Sequence, residues 1–400
     1  MKNGWQRKQL GELAELKGRI GWRGLTAKEY TKQGPLFLSV HSLNYGDYVD
    51  FRDAFHISEE RYAESPEIML QSNDILICKD GAGIGKLGIL GEIPDRATIN
   101  SSLLLIRSGK YILPKYLYHC LTSPYFQDIV QSRLNGATTP HLYQRDITEF
   151  PVVLPPLSEQ HRIVEILDKA FADIAKAKAN AERNLRNARE LFESQLNEVF
   201  TKKGEGWVEK KLEEIGKTQT GSTPKTSDQT NYGDFISFVK PGDFNTDGTL
   251  DYDKAGLSES GAEGARIVPA GSVLMVCIGA TIGKCGYCDQ NVTTNQQVNA
   301  LTPTDGSSNR FIYYQMLTET FHRKVIHASG QATLPIINKS KWSALSIWLP
   351  PKVAEQNMIA AKLDALSEET QRLSRVYERK LDELEALKKS ILHKAFSGEL

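Results

Sequence analysis

Two kinds of hydrophobic patterning alternate along this chain. From residue 157 to 203, and again from 352 to 400, apolar residues recur at steps of three and four among charged ones. In the second stretch Leu363, Leu366, Thr370, Leu373, Tyr377, Leu384, Leu387 and Ile391 follow a heptad, with Lys380 filling one seam position. In the first stretch Ile163, Leu167, Ala170, Ile174, Ala177, Ala181, Ala188 and Leu191 keep the same period with smaller side chains. Neither stretch has a proline or glycine before its end, so each predicts one long helix. At ~1.5 Å per residue such a helix is roughly 65 Å long. Helices of that length with one apolar stripe are seldom stable alone. The stripes predict an antiparallel coiled coil, because the segment between them must bring the second helix back. The alternative is that each helix packs separately on its own domain.

The remaining segments, 1–156 and 204–351, pattern differently. Short apolar runs such as "DILIC", "SLLLI" and "SVLMV" lie between turn-forming residues and read as β-strands. None approaches the ~18–20 residues of a membrane span. The predicted fold is α+β. Two mixed α/β domains, 1–156 and 204–351, are joined by two long helices, 157–203 and 352–400, in a pseudo-twofold internal repeat.

The repeat is legible residue by residue. "LPPLSEQHRIVEILDKAF" from Leu154 is echoed by "LPPKVAEQNMIAAKLDAL" from Leu349, so Glu159 matches Glu355 and Asp168 matches Asp364. The second copy has one extra residue, Lys352-Val353-Ala354 standing where the first has Leu157-Ser158. "WQRKQLGEL" at Trp5 matches "WVEKKLEEI" at Trp207, and Phe200 matches Phe396.

"GAGIGKLG", residues 81–88, fits the dinucleotide pattern G-x-G-x-x-G. Its echo "GATIGKCG", residues 279–286, replaces Gly83 with Thr281 and breaks that pattern. The flanks read as strands, whereas a dinucleotide fingerprint needs a following helix to hold the pyrophosphate. A P-loop would need glycine at Asp80 and a hydroxyl residue at Leu87. The repeat therefore predicts a glycine-rich turn between two strands, with Lys86 and Lys284 at matching places.

Composition narrows the chemistry. The chain has 49 basic and 49 acidic residues, a net charge of zero, where a free-standing nucleic-acid binder is usually basic. Five scattered cysteines argue against a disulfide framework and fit a reducing compartment. The first residues, "MKNGWQRKQLGELAEL", carry no apolar signal core, so the expected location is cytoplasmic, with no membrane partner. Cys285 and Cys288 have C-x-x-C spacing without two further nearby ligands, and read as apolar strand residues rather than a metal site. No methyltransferase, Walker A, nuclease or zinc-protease motif occurs, so neither a catalytic residue nor a cofactor is assigned.

The duplicated LPP–Glu-Gln helix start, the Ile-Gly-Lys turn with its echo, and the ending "LHKAFSGEL" resemble the specificity subunit of type I restriction-modification systems. The resemblance covers essentially the whole chain. It implies two target recognition domains, each reading half of a bipartite double-stranded DNA sequence. It implies helices that dock two methyltransferase subunits, joined in the full enzyme by motor-nuclease subunits. The specificity subunit itself is non-catalytic. Candidate DNA contacts are Lys86 and Lys284 on the turns. Before the first LPP come Thr138, His141, Tyr143, Gln144 and Arg145; before the second, Gln331, Thr333, Asn338, Lys339 and Lys341. Such donors and amides read base edges or hold phosphates. Two rival readings are a coiled-coil scaffold without DNA specificity and a nucleotide-binding enzyme.

Overall fold

The computed structural model describes residues 4–19, 25–134, 141–245, 247–330 and 334–400. It forms two compact units, Met1–Asn180 with Lys380–Leu400, and Ala181–Arg379.

In the first unit a four-stranded antiparallel sheet runs in the order Ala14–Gly18, Leu103–Ser108, Ile75–Cys78, Leu87–Ile89. Alternation along Ile75–Cys78 feeds two cores, because successive side chains point to opposite faces. Ile75 and Ile77 pack with Tyr116, Leu117 and Leu121 of the helix Pro114–Thr122. Leu76 and Cys78 face Leu36, Leu38 and Ile99 on the other side. Those three belong to a smaller sheet ordered Phe55–His56, Thr31–Leu38, Ala97–Ile99. A two-stranded ribbon, Gln6–Gln9 with Pro151–Leu154, ties the start of the domain to the run that enters the first long helix.

The second unit repeats this plan. Its four-stranded sheet is ordered Gly216–Thr220, Val298–Pro303, Val273–Val276, Cys285–Tyr287, with a ribbon of Val208–Lys211 and Ser346–Leu349. Its second sheet has gained a strand, in the order Gly256–Leu257, Tyr232–Val239, Val292–Thr294, Ile267–Val268. Cys285 packs with the helix-side core and Cys288 with the opposite one, so the C-x-x-C pair is split across the sheet. Burial raises both thiols, that of Cys288 to about 11.

The long helices are Leu157–Lys202 and Val353–Ser397, and each contributes to both units. In the first unit Ile163 and Leu167 share a core with Leu392 and Ala395, and Lys178 pairs with Glu385 at 2.7 Å. In the second, Leu196 and Phe200 share a core with Ala360 and Leu363, and Arg189 pairs with Glu378 at 2.8 Å. In both units later residues of one helix meet earlier residues of the other, so the segments pair antiparallel. Among the described residues no helix is long and apolar enough to cross a membrane.

The seam differs from the predicted one at three positions, Lys380, Leu387 and Leu191. Thr370 is buried and Tyr377, Leu384 and Ile391 are half-buried, as the heptad requires, but Leu387 is 47% exposed and Lys380 lies outside. The second row instead runs through Leu381 and Lys388, one residue later. In the first helix Leu191 is likewise exposed, and Phe192 takes its place on the way to Leu196 and Phe200. The physical reason is angular. A 3.6-residue turn drifts against a 3.5-residue repeat, so neighbouring rows compete for the seam and packing decides between them.

The LPP–Glu-Gln motif is the joint between domain and helix. Gln160 is fully buried; its amide donates to the carbonyls of Tyr111 (3.1 Å) and Pro155 (2.9 Å) and accepts from the Leu113 N–H (2.8 Å). Gln356 repeats the pattern, donating to Pro350 O and accepting from the Ser308 N–H, both at 2.8 Å. About two turns further, Asp168 holds Lys115 (2.7 Å) and His119 (3.1 Å), while Asp364 holds Arg310 (2.8 Å) and the Tyr314 hydroxyl (2.6 Å). Each domain is thereby keyed to its own helix by the residues that the repeat preserves.

Candidate nucleic-acid interface

The repeated glycine turn sits between two paired strands in each unit. Ile75, Leu76 and Ile77 face Ile89, Gly88 and Leu87; Val273, Leu274 and Met275 face Tyr287, Gly286 and Cys285. The Gly85 N–H donates to Cys78 O (2.9 Å) and the Gly283 N–H to Val276 O (2.8 Å), closing the connection. No helix follows, so there is no helix N-terminus to hold a pyrophosphate. Gly85 and Gly283 have φ of +84° and +89°. A Cβ on Gly85 would lie 3.0 Å from Gln127 Oε1, and one on Gly283 would lie 2.7 Å from His322 Nδ1. These glycines are therefore required by backbone sign and by the close approach of the neighbouring helix.

The two lysines are tethered alike. Lys86 Nζ donates to Asn44 Oδ1 at 2.8 Å and remains exposed. Lys284 Nζ donates to Phe244 O at 3.0 Å and is half-buried. Both acceptors belong to the loop that follows the long strand of the second sheet. The recurrence thus has a structural part, holding that loop to the turn, and Lys86 has the freer ammonium.

The second group of candidates lies against the same turns. His141 forms an isolated antiparallel bridge with Asp80, and its Nδ1 pairs with the Asp80 carboxylate. The Leu142 N–H donates to Lys79 O at 2.9 Å. Tyr143 is 54% exposed, with the His141 ring edge-on at 4.6 Å and the Arg145 guanidinium 5.3 Å above it. Gln144 is exposed, yet its amide donates to Leu16 O (2.9 Å), a structural use. In the second unit Ile278 bridges Ile336, and the Ile337 N–H donates to Cys277 O at 2.9 Å. Asn338 caps the short helix Lys339–Ser343 by accepting from the Lys341 N–H (2.9 Å). Lys339 and Lys341 are exposed. Thr138, Gln331 and Thr333 lie outside the described residues.

Local charge separates this surface from the neutral whole. Residues 81–91 and 129–145 of the first unit contain no Asp or Glu, nor do residues 278–288 and 331–345 of the second. Asp80, which borders the first pair, is engaged by His141. This local bias is present in the sequence but cancels in the net charge of the whole chain. The structure adds a surface the sequence reading missed, the loop after Asn44. Tyr45 and Tyr48 are 45% and 53% exposed there, and Arg52 stacks 4.2 Å over the Tyr45 ring. Both loops carry three aspartates, Asp47, Asp50 and Asp53 here and Asp247, Asp251 and Asp253 in the second unit, where Thr249 and Asp253 stand at the places of Tyr48 and Arg52. Among the described residues no group of three or more His, Cys, Asp or Glu is placed to hold a metal ion.

Comparison with known proteins agrees with this layout. Residues 2–182 and 204–385 each match the model of the type I restriction modification DNA specificity domain. The chain is 32% identical over 151 residues to the type I restriction enzyme HindI specificity subunit of Haemophilus influenzae, a stretch covering 37% of this chain and 32% of that relative. The chain thus spans about a third of that relative's length in the alignment. The MjaVIII specificity subunit of Methanocaldococcus jannaschii is 22% identical over 372 residues, 84% of this chain and 80% of the relative. The fold is similar to that of a chain solved in a study of type I R-M system assembly and conformational transition. That likeness has a TM-score of 0.80 at 21% identity and covers 100% of this chain and 99% of the other. With one copy of the family model over each repeat, this protein belongs to the type I restriction-modification DNA specificity family.

Proposed function

We propose that this chain reads an asymmetric, two-part DNA sequence for a type I restriction-modification complex. The recognition domains are 1–156 and 204–351, and the spacer segments are 157–203 and 352–400. The observation that carries the reading is the recurrence in both units of a lysine turn seated against an acid-free segment. Turn and segment together offer cations for phosphates and exposed side chains for bases. The loops around that common frame differ, with Thr249 and Asp253 in the second unit where the first has Tyr48 and Arg52, so the two domains read different half-sites.

Phosphate contacts supply most non-specific affinity, and a chain of zero net charge has little to spare. Partner subunits therefore supply much of the grip. The helical segments dock two methyltransferase subunits and set the length of uncontacted DNA between half-sites, and motor-nuclease subunits complete the restriction enzyme. The chain itself contributes recognition rather than chemistry and uses no cofactor. Lys86 and Lys284, with Thr138, His141, Tyr143, Arg145, Gln331, Thr333, Asn338, Lys339 and Lys341, are the proposed DNA contacts. Co-expression with its methyltransferase and mapping of methylated adenines tests the reading. The expected result is one bipartite motif with two unequal halves. Absence of any sequence-selective methylation or protection favours the scaffold alternative, and ATP or NAD binding lost on Lys86→Ala favours the nucleotide enzyme.

A further inference from the structure

The two domains carry different chemistry at one matching place. The same antiparallel bridge joins the lysine turn to the segment behind it, through Asp80 and His141 in the first unit and Ile278 and Ile336 in the second. The adjoining backbone hydrogen bonds are both 2.9 Å, so the frame is common and only the side chains differ. In the first unit the imidazole and carboxylate satisfy one another. In the second, Ile336 is 45% exposed and Leu334, two residues earlier, is 54% exposed. Leu334 sits at a bend, and these two exposed apolar side chains on either side of Pro335 make a small apolar ridge.

The surroundings define what this ridge suits. Lys284, Lys339 and Lys341 lie in the two segments that form it, and those segments contain no carboxylate. An apolar ridge among cations suits a polyanion that presents apolar groups between its charges. Duplex DNA does so in the major groove, where thymine offers a C5-methyl group between the phosphate backbones.

We propose that Leu334 and Ile336 contact thymine methyl groups in the half-site bound by the second domain. The proposal rests on the DNA-reading function above. It makes an A·T pair in that half-site a requirement, whereas the hydrogen-bonding His141 and Tyr143 give the first domain no such dependence at the matching position.

The test uses the assembled methyltransferase complex and its mapped target. Uracil is placed for thymine at each position in turn, which removes the methyl and nothing else. Binding is expected to fall about four-fold for each contacted methyl, the factor that corresponds to burial of one such group. The fall is expected in one half-site, and it should vanish in the Leu334→Ser/Ile336→Ser variant, which leaves no side-chain methyl at either position. Both positions are exposed, and full methylation by that variant at saturating protein shows that it is folded and assembled. A half-site pair without A·T, equal uracil effects in both halves, no effect in either, or an effect that persists in the variant overturns the inference. Failure of the complex to methylate any specific sequence overturns the DNA-reading proposal instead.

Discussion

Gln160 offers the sharpest test of how a recognition domain is fixed to its helix. Its side chain is fully buried and makes three hydrogen bonds to backbone groups of the domain and the entering strand. Gln160→Met keeps the length of the side chain and removes both polar ends. The Leu113 N–H and the Tyr111 and Pro155 carbonyls then lose their partner. At about 1 kcal/mol for each such group, the loss is about 3 kcal/mol. Gln356→Met removes two bonds in the second unit, giving about 2 kcal/mol. With a urea m-value of about 3 kcal/mol/M, the midpoints fall by about 1 M and about 0.7 M. Urea titration read by hydrogen-exchange mass spectrometry on peptides from each unit separates the two transitions. Each variant should lower the midpoint of its own unit, the Gln160 variant more. A loss below about 1 kcal/mol for Gln160→Met, or an equal loss in both units, would refute the view that these glutamines key the domains to the helices.

Other outcomes follow from the same geometry. Gly283→Ala combines a positive φ with a Cβ placed 2.7 Å from His322, and should cost about 2 kcal/mol or more in thermal unfolding, whereas Gly306→Ala meets no neighbour within 4 Å and should cost only the φ penalty. Burial lowers the pKa of His119 below its ordinary 6.5, so below pH 6.5 the unfolded chain takes up a proton that the folded one does not. Stability of the first unit should therefore fall as pH drops from 6.5 toward the folded value, and His119→Tyr, which copies Tyr314, should flatten that slope in melts across pH 5–7. Removing one heptad from each long helix should change the preferred spacer between half-sites and leave the half-site sequences alone; altered half-sites with an unchanged spacer in methylation maps would sink the ruler idea. The isolated chain should bind its target weakly in gel shifts, and tight, salt-resistant binding would contradict the inferred reliance on partner subunits.

Much of this architecture was legible because it occurs twice. The heptads announced two paired helices, and the broken glycine pattern of the second copy exposed a strand–turn–strand where one copy alone suggested a nucleotide site. What the pattern could not decide was which of two adjacent rows enters the seam. The heptad places Leu191 and Leu387 in the core, yet their neighbours Phe192 and Lys388 lie at the seam, because helix phase is set by three-dimensional packing. Recurrence also conceals cause. The repeat marks Lys86 and Lys284 as candidate DNA contacts, and the structure gives each an intramolecular acceptor, Asn44 or Phe244 O, that no local spacing predicts. Gln160 and Asp168 stood out as repeated, but their role needed the distant backbone of Tyr111 and the side chains of Lys115 and His119. The Leu334–Ile336 ridge passed unnoticed, since exposure of an apolar residue is invisible in one dimension.

The central claim is that each unit reads its own half of the target. The most direct test compares adenine methylation maps for the wild-type complex and for one whose chain carries a second copy of residues 1–156 in place of 204–351. The account predicts that the wild-type motif has two different halves and that the duplicated chain methylates an inverted repeat of one of them, because repeated readers demand repeated half-sites. An unchanged motif, or simultaneous change of both halves in an assembled, active complex, would contradict it.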